Sequence, residues 1–157
     1  MASVDVRRVG ADDAGALAAL RARWSEGEEP GFEARMAEWL QAEGERRTTW
    51  LATVDDEPVG MASVFEYRRM PRPGRAASRW GYLSNMFVLE PFRNRGVGAA
   101  LLDAVIAAAD ERGYARLVLS PSERAVPFYQ RAGFIVPDEA AGNDRLLVRQ
   151  APSRNGG

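Results

Sequence analysis

Cysteine, histidine and lysine are all missing from this 157-residue chain, and its 21 basic residues are therefore all arginine. Each absence closes a class of chemistry. Without cysteine there is neither a disulfide nor a thiolate nucleophile, and without histidine there is no Ser-His or Cys-His pair and no imidazole-bound zinc. Without lysine there is no P-loop phosphate lysine and no Schiff base. A skewed genomic base composition accounts for an arginine-only complement, and the eliminations hold regardless. Chemistry is left to carboxylates, tyrosine, serine, backbone amides, water or a bound cosubstrate, and no metal is expected. Long apolar runs are missing too. No stretch approaches the ~18–20 apolar residues of a membrane span, and the polar N-terminus lacks a signal-peptide core. A cytoplasmic protein with no membrane partner is the expectation. A formal net charge of −1 argues against nucleic acid as the main partner.

What is present supports one domain. A hydrophobic content of 46% fills one substantial core, expected over residues 1–150, with residues 151–157 as a disordered tail. Val4, Val6 and Val9 mark a leading strand. Gly10-Ala11-Asp12-Asp13 then offers an N-cap to a helix with Leu17, Leu20 and Trp24 on one side. A second helix is predicted over Phe32 to Glu43. Short β-rich runs follow: Thr49 to Val54, Val59 to Arg69 and Trp80 to Leu89, the last two separated by an arginine-rich loop. An amphipathic helix is predicted from Gly96 to Arg112 with Gly113 as its C-cap. A buried strand follows at Leu117 to Leu119, then a shorter helix over Ser122 to Ala132 capped by Ser122, and a closing strand near Leu146 to Arg149. This order implies an α+β fold with one strand-turn-helix-strand crossover, neither doubly wound nor a barrel.

The informative junction runs from Asn85 to Gly98, where an apolar strand passes through Arg93-Asn94-Arg95-Gly96-Val97-Gly98 into the long helix. A helix start carries unpaired amide hydrogens and the positive end of the dipole, so it suits an anion. Gly96 and Gly98 let a bulky pyrophosphate approach the backbone, and Arg93 and Arg95 add charge. The spacing is not the Gly-x-Gly-x-x-Gly dinucleotide fingerprint.

Together with Ser122 to Phe134, this segment resembles the two signature blocks of the GNAT N-acetyltransferase family, in matching order and spacing. The N-terminal third resembles the family in element order only. The resemblance implies a mixed, mostly antiparallel central sheet flanked by helices, an acetyltransferase domain over residues 1–150 and acetyl-CoA as cosubstrate. By position it implies that the amides of Asn94, Arg95, Gly96, Val97, Gly98 and Ala99 hold the pyrophosphate. Phe87 and Val88 would pair through their backbone with the pantetheine arm. Ser122 would stand where many members carry asparagine, and Tyr129 would supply a proton to the leaving thiolate. A backbone amide near Phe87 is the simplest oxyanion donor.

The implied activity is direct acetyl transfer to a primary amine of a small molecule or peptide; the alternative is a non-catalytic acyl-CoA sensor. With no histidine, Glu66 is the first candidate for a base, with Asn85 or Ser84 holding a relay water. Strand alternation leaves its face undecided, so a solvent-facing Glu66 stays open. Glu26, Glu28, Glu29 and Glu33 would draw a cationic acceptor, whereas Arg68, Arg69, Arg72, Arg75 and Arg79 would draw an anionic one. The acceptor is left open. Family members are often homodimers, and a homodimer is an expectation of the same kind.

Overall fold

The computed structural model describes residues 3–137 and 146–152. Six strands form one mixed, mostly antiparallel sheet in sequence order: β1 (Val4–Arg8), β2 (Arg47–Val54), β3 (Glu57–Arg68), β4 (Arg79–Val88), β5 (Arg116–Leu119) and β6 (Leu147–Gln150). The helices are α1 (Ala14–Ser25), α2 (Phe32–Glu43), α3 (Val97–Glu111) and α4 (Val126–Arg131). The expected α+β class is observed. The proposed tail lies, from residue 153 on, outside the described residues.

The chain divides into two compact units. One comprises the chain up to Val64 together with Asn85–Val105. In it β1 runs antiparallel to β2, with Val4 opposite Val54 and Arg8 opposite Trp50. The entry to α1 is fixed by Asp13. Its carboxylate accepts from Arg7 Nη1 and Nη2 at 2.7 and 2.6 Å and from the Gly10 amide at 2.7 Å. Left-handed glycines bracket α2, Gly31 at φ +79° before it and Gly44 at φ +60° after it. The β2–β3 turn places Asp55 and Asp56 at φ +49° and +63°, a two-residue left-handed turn whose twist matches a hairpin. The core gathers Leu17 and Leu20 of α1, Leu51 of β2, Met61 of β3, and Phe87 and Leu89. Burying one such side chain is worth about 1.5–3 kcal/mol. Trp24, expected on the same side of α1 as Leu17 and Leu20, lies at the rim, 37% exposed and stacked on Phe87.

The other unit comprises Phe65–Ser84 and the chain from Ile106. Here β4 pairs with β5 in parallel at Gly81–Leu117 and Tyr82–Val118, and β6 pairs antiparallel with β5. The α3 terminus closes as predicted, with Gly113 at φ +70° and the Tyr114 amide bonded to the Ala109 carbonyl at 2.9 Å. The helix predicted over Ser122 to Ala132 is split into a 3-10 turn, Glu123–Ala125, followed by α4. Pro127 lies in the first turn of α4, where its missing N–H costs no hydrogen bond.

Candidate functional site

The junction after β4 has the character of an anion cradle. A 3-10 turn, Glu90–Phe92, leads to Asn94 at φ +62° and Gly96 at φ +83°. A residue with a Cβ resists that conformation at Gly96, and asparagine is among the few that tolerate it. The first bond into α3 runs from the Ala100 amide to the Gly96 carbonyl at 3.0 Å. The amides of Val97, Gly98 and Ala99 precede it and are free of intrahelical partners. Arg93, Asn94, Arg95 and Gly96 are exposed, whereas the Val97 side chain is buried and anchors the turn. The two arginines are held against the fold: Arg93 Nε donates to the Val88 carbonyl at 3.0 Å, and Arg95 lies over the Phe92 ring. The structure thus brings Phe87, Val88 and the segment from Arg93 to Ala99 together.

Gly60 on β3 makes this packing feasible, a role the sequence reading missed. A Cβ there would lie 3.0 Å from the Phe87 carbonyl oxygen, 3.1 Å from Leu101 Cδ1 and 3.2 Å from Val97 Cγ1. Only glycine lets β3 approach the end of β4 and the first turns of α3 so closely. Its apolar context in Val59-Gly60-Met61 carried the one available signal, since an isolated strand glycine often marks a close approach.

A cavity of about 360 Å³ lies in the same unit. Its walls are apolar, from Leu17, Phe32, Met36, Trp39 and Met61. The polar groups are Thr49, Ser63 and Asn85, and Arg21 and Arg35 are its cations. Asn85 bends β4 at φ +55°. Ser63 Oγ accepts from Arg47 Nη1 at 3.0 Å and lies 3.5 Å from Thr49 Oγ1. Apart from Asn85, none of the cavity's polar or charged residues was singled out from sequence. Ser63 was the only one with a local signal, as a hydroxyl inside the run from Val59 to Val64.

Glu66 is not solvent-facing. It is 3% exposed, and its Oε2 accepts from Arg68 Nε at 2.6 Å and its Oε1 from the Tyr114 hydroxyl at 2.9 Å, with Arg79 Nη1 3.6 Å away. Burial pushes its carboxyl up, but the bonds from Arg68 and Tyr114 and the charges of Arg68 and Arg79 outweigh it and hold the group below its ordinary range. Alternation along β3 puts Gly60, Ala62, Val64 and Glu66 on one face and the cavity-lining Met61 and Ser63 on the other. The five-arginine segment is likewise divided, since Arg68 and Arg79 serve Glu66 while Arg69, Arg72 and Arg75 are exposed. Among the glutamates near the α1–α2 break, Glu29 is bound by Arg35.

Tyr129 is buried on α4 between Phe128 and Phe134, whose rings meet it edge-on at 5.1 and 5.7 Å. Burial pushes its phenol up, so it stays protonated through neutral pH. Ser122 occupies the N-cap position of the 3-10 turn, with extended backbone, but its side chain makes no capping bond. The predicted side-chain cap is thus not formed; the turn is closed by its own bond, from the Ala125 amide to the Ser122 carbonyl at 3.0 Å.

A family model described as "Acetyltransferase (GNAT) family" matches residues 16–134. A glucosamine 6-phosphate N-acetyltransferase of Trypanosoma brucei brucei is 32% identical over 76 residues, covering 48% of this chain and 50% of that protein. The chain thus aligns with about half the length of that curated relative. A GNAT acetyltransferase structure from Streptococcus pneumoniae superposes with TM-score 0.73 at 21% identity, covering 96% of this chain and 100% of that one. A predicted acetyltransferase from Clostridium acetobutylicum, solved with acetyl-CoA, gives TM-score 0.69 at 23% identity over 87% and 93% of the two chains. These two likenesses show the fold.

Proposed function

The chain belongs to the acetyltransferase (GNAT) family, and we propose that it transfers an acetyl group from acetyl-CoA to a primary amine held in the cavity of about 360 Å³. The observation that carries this reading is the row of free amides ahead of the Ala100–Gly96 bond, opened by left-handed Asn94 and Gly96. The residues fit the cosubstrate: the amides of Asn94 to Ala99 would hold the pyrophosphate, and the backbone of Phe87 and Val88 would pair with the pantetheine arm. Acetyl-CoA supplies an activated acyl group, so that an amide N–C bond forms as a C–S bond breaks.

This chain's residues handle the protons. Tyr129 is the proposed donor to the departing sulfur, supported by a phenol that burial keeps protonated. A positioned acid of this type contributes about 10²–10⁴ in rate. Ser122 is proposed as a further pantetheine contact. Among the described residues no acidic side chain lines the cavity, so the amine's proton leaves to water beside Asn85, Thr49 or Ser63. Glu66 has two readings. As a base it would take that proton; as an anchor it ties β3 to Tyr114 and two arginines. Its depressed pKa and its place on the other face of β3 from Ser63 favour the anchor.

Calorimetric titration with acetyl-CoA, followed by thiol release across a panel of amines, tests the proposal. Micromolar binding and release with at least one amine are expected. Binding without release for any amine would make the protein an acyl-CoA sensor, and no binding would remove the cradle assignment.

A further inference from the structure

The cavity's charge identifies the class of acceptor, an inference that rests on the transfer reading above. Among the described residues its lining has two cations and no acid, and the cations differ. Arg35 Nη1 donates to both carboxylate oxygens of Glu29, at 2.6 and 2.7 Å, so its charge is matched. Arg21 has no carboxylate partner among the described residues. Its guanidinium carbon instead lies 4.3 Å from the centroid of Trp24, and Trp24 stacks on Phe87 at 5.0 Å and 9°. A guanidinium held over an aromatic face keeps its N–H fork available for a carboxylate. The volume suits a small molecule, at the low end of the ~300–1,000 Å³ typical of ligand sites. Glu28 and Glu29 border an adjoining groove that Arg21 shares; Glu29 is bound by Arg35, so Glu28 is the acid there that an acceptor with a second cation would engage.

We propose that the acceptor is a small primary amine on an apolar body that also carries one carboxylate, the chemistry of a free apolar amino acid, and that Arg21 binds this carboxylate. Trp39, Phe32 and Met36 receive the apolar body.

The test compares phenylalanine, its methyl ester, phenethylamine and spermidine. Thiol release with acetyl-CoA gives kcat/KM, and calorimetry on the CoA-saturated protein gives Kd. Phenylalanine is expected to exceed the ester and phenethylamine about tenfold or more in both measures, because a charge-assisted hydrogen bond is worth about 1.5–3 kcal/mol. Arg21→Gln abolishes that preference, Arg21→Lys retains part of it, and Arg21→Glu turns it toward phenethylamine. Should Arg21→Gln not fold, the ligand series on the unaltered protein decides alone. Equal use of the aryl amines, or a preference for spermidine, overturns the assignment while leaving transfer intact. Carboxylate-selective binding with no thiol release upholds the pocket and sinks the transfer reading.

Discussion

The anion cradle and the cavity belong to the same compact unit, yet they are encoded in different ways. The cradle is main chain: its donors are amides, its shape is set by two left-handed residues, and its donors all lie within the dozen or so residues following Phe87, with Gly60 alone contributed from another strand. The cavity is side chain, assembled from α1, α2, β2, β3 and β4. A main-chain site tolerates change at every position except those that fix φ or permit close approach. A side-chain site changes its ligand whenever one lining residue is replaced. A common cosubstrate with variable acceptors calls for this division.

The largest expected effect separates both binding regions from the chemistry itself. Tyr129→Phe should lower kcat about 10²-fold while calorimetry shows an unchanged Kd for acetyl-CoA; unaltered turnover removes the acid role. Because burial raises the phenol's pKa, no loss of activity from its ionisation is expected below its ordinary value near ~10.

Glu66→Gln comes next, and asks whether a carboxylate on the other face of β3 acts on what the cavity holds. The anchor reading predicts a loss of about 1.5–3 kcal/mol in urea unfolding, the worth of hydrogen bonds to a charged group, with kcat retained. A collapse of kcat with normal stability would restore the base. The pH dependence carries the same signature. Glu66 and Asp13 both hold depressed pKa values when folded, Asp13 through its bonds from Arg7. Their stabilisation is present above the ordinary carboxylate range near ~4 and is lost as pH falls through the folded values. Glu66→Gln should flatten that acid limb.

Gly60→Ala should strike cradle and cavity together, since the added methyl would press on the Phe87 carbonyl and on α3. A loss of about 1–3 kcal/mol is expected, read as a fall in Tm. Gly96→Ala should affect only the cradle. Nothing crowds a Cβ there, so the cost is that of a left-handed residue, about 1–2 kcal/mol. It should weaken acetyl-CoA roughly tenfold without altering amine binding, and weakening of both would break the division drawn above.

The same contrast explains what the sequence disclosed. The turn from Arg93 to Gly98, the helix behind it and its Gly113 cap were legible because each depends on neighbours in the chain. The cavity was not, because Arg21, Ser63 and Trp39 meet only after three segments fold against one another. Glu66 was singled out for its residue type, but its face could not be chosen until Gly60 was seen against Val97 and Leu101. Trp24 shows the limit of helical phase: its spacing matched Leu17 and Leu20, but its place at the rim depends on Phe87, which comes from a distant strand.

The Arg21–Trp24–Phe87 stack gives the molecule a built-in optical gauge. An indole packed between a cation and a second ring emits according to the polarity and charge around it, so binding of an anion to that guanidinium should move its emission. With Trp39 kept because it lines the cavity, the part of the emission change that Trp24→Phe removes would follow acceptor entry in real time, without any attached dye.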